Sequence, residues 1–186
     1  APIHFAHANG FPPGCYQRFL KPFTKQYQII GMMARPFWKE KPQGKDAWKM
    51  MADDLIHFLD SHNLNQIIGM GHSMGGVATL FAAAKRPDLF KKLVFIEPVF
   101  LMPFQQRTFS LLPEFLKPRV HPMIKGALKR RDVWDNKQAV FDSFRRKKVF
   151  SKWSDEVLWD YANFGTKATT DGKVTLSFSK EWEAHY

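Results

Sequence analysis

The first hundred residues switch repeatedly between two apolar periods. Short apolar runs of strand type begin at Pro2 and cover residues 28–33, 66–70 and 92–96. Between them the spacing becomes helical. Tyr16, Phe19, Leu20 and Phe23 fall on one face. Residues 48–59 set Met51, Leu55, Phe58 and Leu59 on one side, with Asp53 and Asp54 turned more outward. An Ala-rich stretch at 76–85 predicts a further helix. Strands and helices alternating at this pitch argue an α/β fold, a mostly parallel sheet with helices on both faces.

From Phe100 the pattern changes. Pro103, Pro113, Pro118 and Pro122 break the next stretch into short pieces. A helix is predicted over 137–148 with Asn136 as N-cap, and another over 155–164 between Ser154 and Gly165. Residues 169–178 form a hairpin pattern turning at Asp171-Gly172. Phe104, Phe109, Phe115, Trp134, Phe141, Phe144, Phe150, Trp153 and Trp159 exceed what so small a segment needs for its own packing, so some are expected to wall an apolar pocket.

The strand at 66–70 runs into Gly71-His72-Ser73-Met74-Gly75, and the helical stretch follows at once. A serine between two glycines on a strand-to-helix turn is held exposed at a strained position, where neighbours with side chains do not fit. Acyl transfer to such a serine needs two N–H donors for the developing oxyanion. One is expected from the residue after the nucleophile, Met74, and one from an early loop. Here that loop is His7-Ala-Asn-Gly-Phe-Pro12.

With these two motifs the chain resembles the α/β-hydrolase family, in its lidded serine esterase and lipase-like branch. The loop looks like that family's His-Gly-x-Pro with two extra residues. Setting Gly10-Phe11-Pro12 on Gly-x-Pro makes Phe11 N–H the second oxyanion donor, with Asn9 and Gly10 as alternatives. Ala34-Arg-Pro-Phe-Trp38 stands where the family often has Asp-x-Arg-Gly-x-Gly, matching only at Arg35. The resemblance implies a partial α/β-hydrolase fold. Residues 1–99 would form the core, 100–178 a helical lid, and 179–186 the start of the return to the core.

It further implies hydrolysis of an ester or similar acyl compound through an acyl-enzyme on Ser73, with Gly71 and Gly75 as structural glycines. Acyl transfer, or a non-catalytic interaction module that keeps the turn, are the alternatives. The family order of Ser, acid, His finds no clear base here: His121 lies among prolines and His185 is next to the end. Glu97 ends the strand after the serine, where some relatives keep their acid. The expectation is a chain truncated at both ends, with acid and base outside it and little activity alone.

Composition adds limits. At 186 residues and 45% apolar content the chain suits one domain or a core plus lid. Cys15 is alone, which excludes an internal disulfide and fits a reducing, cytoplasmic location. No histidine spacing suits zinc, and the chemistry requires neither metal nor organic cofactor. Of the net charge of +11, most lies between Pro103 and Trp153, concentrated in Lys129-Arg-Arg131 and Arg145-Arg-Lys-Lys148. That charge suits a solvated face first, then an anionic substrate or membrane surface. Nucleic acid is not expected, since no binding motif accompanies it.

Overall fold

The computed structural model describes residues 1–39, 41–42, 47–100 and 122–185. Strands β1 (Ile3–Ala6), β2 (Ile29–Ile30), β3 (Ile67–His72) and β4 (Phe90–Ile96) form one sheet in the order β2-β1-β3-β4. Every pairing in it is parallel. Parallel neighbours need crossovers, and helices α1 (Gln17–Leu20), α2 (Ala47–Ser61) and α3 (Met74–Lys85) lie on them. On one face α2 and α3 bury Ala52, Leu55, Leu59 and Ala82 together with Ile67 and Leu89. On the other, Leu20 packs with Ile3, Phe5 and Met70, flanked by Tyr16 and Phe23. All four positions of β1 are buried, as a strand covered on both faces requires.

Several local expectations are corrected. Of 28–33 only Ile29 and Ile30 pair as a strand, because the chain then leaves the sheet: Met32 joins the α2 cluster and the Ala34 N–H donates to His7. β3 continues through His72, and α3 begins at Met74 rather than Gly76. Asp54 is not solvent-facing. Arg35 donates Nε and Nη2 to its two oxygens at 2.5 and 2.7 Å, so α2 holds the 3₁₀ turn Arg35–Phe37. Asp53 does turn outward and pairs with Lys85.

The later elements form a second layer. It contains α4 (Pro122–Lys129), α5 (Lys137–Arg145), α6 (Asp155–Phe164) and α7 (Lys180–His185). A small antiparallel sheet, order β5-β7-β6, joins β5 (Val133–Trp134), β6 (Thr166–Ala168) and β7 (Val174–Leu176). Asn136 and Ser154 cap α5 and α6 by accepting from the N–H groups of Ala139 and Val157. Gly172 carries φ +79 in the hairpin turn, a backbone state that glycine enters without steric cost. The hairpin starts earlier than its pattern, at Thr166, and β5 is too short to show a period. α5 ends at Arg145 instead of Lys148. There the Arg145 side chain turns to donate to the Phe150 and Trp153 carbonyls and to pair with Asp155. Pro103, Pro113, Pro118, Phe104, Phe109, Phe115 and His121 lie outside the described residues.

The two layers share one core. Trp134, Val140, Phe144, Phe150, Leu158 and Tyr161 pack with Cys15 from the 3₁₀ turn Pro13–Tyr16 before α1, and Phe11 lies against them. Asp160, 4% exposed, accepts from Gln17 Nε2 at 2.6 Å and from Arg18 Nε at 2.9 Å, tying α6 to α1. β4 lies at the end of its sheet and leaves Leu93, Val94 and Phe95 exposed. Among the described residues no helix is long and apolar enough to cross a membrane.

Candidate active site

The chain leaves β3 at His72 and enters α3 at Met74, so Ser73 alone makes the turn, with φ 52 and ψ −121. For a residue with a Cβ such a backbone costs about 1–3 kcal/mol and persists only where the surroundings impose it. They do so here. The Ser73 N–H donates to the Ile96 carbonyl at 2.9 Å, and its carbonyl accepts from Gly76 at 3.0 Å and Val77 at 3.3 Å. The flanking glycines are steric necessities. A Cβ on Gly71 would sit 2.6 Å from the Gly75 carbonyl oxygen. One on Gly75 would sit 2.6 Å from the His7 carbonyl oxygen, with that of Ala6 closer still. The first turn of α3 therefore packs directly on the backbone that ends β1. The half-buried Ser73 side chain does not cap α3. The buried Met74 opens that helix, where the first N–H groups lack intrahelical acceptors and favour negative charge.

The loop from His7 runs beside this turn. His7 is 2% exposed; its Nδ1–H donates to the Ala8 carbonyl at 2.9 Å and its Nε2 accepts from the Ala34 N–H at 3.1 Å. Both ring nitrogens are thus engaged in holding the loop. The Ala8 carbonyl also accepts from Phe11 N–H at 3.2 Å. In this structure Phe11 N–H thus closes a turn, and its ring stands 5.2 Å from that of Tyr161 in the shared core. Asn9 donates its side-chain amide to the Glu183 carbonyl at 3.0 Å, while the Glu183 carboxylate pairs with Arg130 at 2.7 Å. Helix α7 is thereby fastened to the loop.

Tyr16 and His72 join the two parts, and the sequence offered no sign of their meeting. The Tyr16 hydroxyl accepts from the Ala8 N–H at 3.2 Å and lies 2.8 Å from His72 Nδ1. Burial holds His72 below its ordinary range, only partly opposed by the Glu97 charge, and pushes the Tyr16 phenol up. His72 is consequently engaged with Tyr16. Among the described residues no histidine hydrogen-bonds the Ser73 hydroxyl. His62 bonds back to the Phe58 carbonyl and the His185 ring lies against Trp182. Glu97 directly follows β4 and is exposed, at φ 43. Beside His72 a cavity of about 200 Å³ is lined by Phe11, Tyr16, Phe19, Trp153, Val157 and the half-exposed Arg18. Burial, with the Asp160 charge adding to it, pushes the Cys15 thiol up to about 12, which makes it inert. Among the described residues no cluster of three or more His, Cys, Asp or Glu could hold a metal ion.

Part of each basic run is engaged by the fold. Arg130 pairs with Glu183, Arg131 donates to the Val133 carbonyl and lies over Trp134, and Lys147 Nζ sits 3.8 Å above the Phe144 ring. Arg146 and Lys148 stay exposed.

Two buried imidazoles make the fold sensitive to acid. Burial lowers His7 to about 4, and burial together with the neighbouring His7 charge lowers His4 to about 3. The two ring nitrogens of His4 have no hydrogen-bond partner among the described residues. In the unfolded chain both rings protonate near 6.5. Below that value the unfolded chain holds more protons than the fold. Their contribution to stability is therefore complete above pH 6.5 and declines as the pH falls, by about 1.4 kcal/mol per unit for each ring. The decline ends near pH 4 for His7 and near 3 for His4. Urea midpoints should fall steadily from about pH 7 to about pH 5, and a flat profile contradicts the assignment.

A family profile described as alpha/beta hydrolase fold matches residues 10–152, and the chain belongs to that family. It is 32% identical over 97 residues to strigolactone esterase RMS3 of Pisum sativum, covering 50% of this chain and 36% of that protein. It is 31% identical over 87 residues to ethanol acetyltransferase 1 of Hanseniaspora uvarum, covering 46% of this chain and 25% of that protein. Among solved structures, E-2-(acetamidomethylene)succinate hydrolase superposes with a TM-score of 0.68 at 19% identity, covering 99% of this chain and 63% of its own. An alpha/beta hydrolase from Novosphingobium aromaticivorans gives 0.70 at 12% identity, covering 97% and 60%. The chain thus spans about a third of the first relative's length, and the structural likenesses speak for the fold alone.

Proposed function

We propose that Ser73 is the nucleophile of a serine hydrolase that acts on an ester or similar acyl compound through an acyl-enzyme. The observation that carries this reading is the backbone at Ser73. A non-glycine residue is forced to φ 52 at the carboxyl end of a parallel strand, its hydroxyl left out of helix capping. Open α/β sheets place their sites at that end of the strands. An attack by the Ser73 oxygen on a carbonyl would put negative charge on the carbonyl oxygen. The Met74 N–H, at the start of α3, is the first donor for it. The second comes from the turn at residues 9–11. Phe11 serves there once its bond to Ala8 opens or is shared, with the N–H groups of Asn9 and Gly10 as the neighbouring choices.

The apolar cavity beside His72 would take the acyl group, and the elements from 122 to 178 would act as its lid. In this reading no described residue serves as the general base. His4 and His7 are buried, and His72 is engaged with Tyr16. Hydrolysis and acyl transfer share this machinery up to the acyl-enzyme and differ only in the acceptor. The likeness to both an esterase and an acetyltransferase keeps transfer to an alcohol as the second reading.

The test is active-site labelling. A fluorophosphonate probe on the full-length protein should modify Ser73, mapped by peptide mass spectrometry. Modification elsewhere, or none with a protein that turns over esters, overturns the assignment. Adding ethanol to a p-nitrophenyl acetate assay then separates the two readings: ethyl acetate formation marks transfer, and acetate alone marks hydrolysis.

A further inference from the structure

We propose that Tyr16 is a positioning residue which sets the spacing between the two oxyanion donors, by tying the 7–12 loop to the residue before the nucleophile. This rests on the reading of Ser73 given above. The two proposed donors belong to separate stretches of chain, Met74 at the start of α3 and the 9–11 turn after β1. Their separation has to be held to a few tenths of an ångström for both to reach one oxygen.

One oxygen spans the gap. Tyr16 Oη accepts from the Ala8 N–H at 3.2 Å and stands 2.8 Å from His72 Nδ1. The phenol has one proton and stays protonated, since burial raises its pKa. With one lone pair occupied by Ala8, we assign its proton to the bond with His72 Nδ1, which is then the bare nitrogen of a neutral ring carrying its proton on Nε2. The burial that lowers the His72 pKa favours that neutral form. The rings reinforce the bond: Tyr16 meets His72 edge-on at 5.7 Å and packs on Phe5 of β1 at 4.6 Å.

The tie acts on the right groups. Ala8 is the anchor of the turn, because its carbonyl accepts from both His7 Nδ1 and Phe11 N–H. His72 is bonded directly to Ser73. Fixing Ala8 to His72 therefore fixes the 9–11 turn relative to the Ser73–Met74 peptide. Without the hydroxyl, the hydrogen bonds left on the turn are those of His7 and Phe11 to the Ala8 carbonyl and of Asn9 to Glu183, none of them made to β3, and the Phe11 ring packs on Phe150, Trp153 and Tyr161 rather than on β3.

Tyr16→Phe removes the hydroxyl and keeps the ring that packs on Phe5. In the full-length protein, kcat for a p-nitrophenyl ester and the rate of fluorophosphonate labelling are expected to fall about 10–100-fold, with KM changed less than about threefold. Exchange of the Ala8 amide should accelerate at least about tenfold while the protection of β3 is kept. Faster Ala8 exchange with unchanged kcat and labelling would make Tyr16 a structural tie only and overturn the proposal. A KM change with kcat preserved would do the same. A ¹⁵N imidazole spectrum of the unsubstituted protein is an independent check: His72 should show a bare Nδ1, and a protonated Nδ1 overturns the geometry. Turnover that survives Ser73→Ala is the separate result that removes the underlying reading, leaving the Ala8 and His72 measurements to judge the tie itself.

Discussion

Ser73→Ala is expected to abolish the proposed ester turnover and to leave the fold as it is. The activity loss is expected at about 10⁴–10⁶-fold, the range seen when a serine nucleophile is removed from machinery that works as a unit. What remains comes from binding and the oxyanion donors alone. The fold survives because the substitution changes nothing that holds the turn. Alanine keeps a Cβ at the same strained backbone, the Ser73 N–H still reaches the Ile96 carbonyl, and no capping bond is lost since the hydroxyl makes none. Thermal melting should therefore stay within about 2 °C of the parent. Robust turnover by the alanine variant, with an unchanged melting curve, would remove Ser73 from the mechanism.

Gly75→Ala should destabilise the protein by about 3 kcal/mol or more. The added methyl would lie 2.6 Å from the His7 carbonyl oxygen and closer still to that of Ala6. Both obstacles are backbone atoms at the end of the central strand, and neither can rotate away. Either α3 lifts from β1 or the loop at His7 moves, so what activity remains should fall together with stability. Against a total stability of about 5–15 kcal/mol, much of the protein would unfold or fail to accumulate. Gly126→Ala is the matched contrast. Gly126 is exposed in α4, and a methyl added there would meet nothing within 4 Å, so alanine should stabilise by up to about 1 kcal/mol through helix propensity. Urea midpoints of the two variants check both signs. Equal midpoints would mean that α3 does not sit on β1 as closely as the structure has it.

Much of the frame was legible because its causes are local. A buried parallel strand must be an apolar run, and an amphipathic helix must repeat near 3.6 residues, so the four strands and α2 stand out in the chain. The caps at Asn136 and Ser154 follow the same logic, as each satisfies an N–H three residues away. Gly71, Ser73 and Gly75 were recognisable since a tight turn permits so few residue types. Period-based reading fails where a segment is shorter than its period or is stopped from outside. β5 has two residues, 28–33 is cut short at Ile30, and α5 ends where Arg145 finds the carbonyls beyond it.

By itself, then, the sequence determined the α/β class, the order of its elements and the serine turn, all set by side-chain period and backbone sterics within a few residues. Tertiary structure alone decided which polar groups meet. Arg35 finds Asp54 across 19 residues, His72 finds Tyr16 across 56, and Arg18 finds Asp160 across 142. It also decided that Phe11 N–H closes onto Ala8 and that Asp54 turns inward. Such pairings depend on where the packed layers bring distant side chains out of water. There a buried donor or acceptor must find a partner, and no pattern along the chain specifies which one.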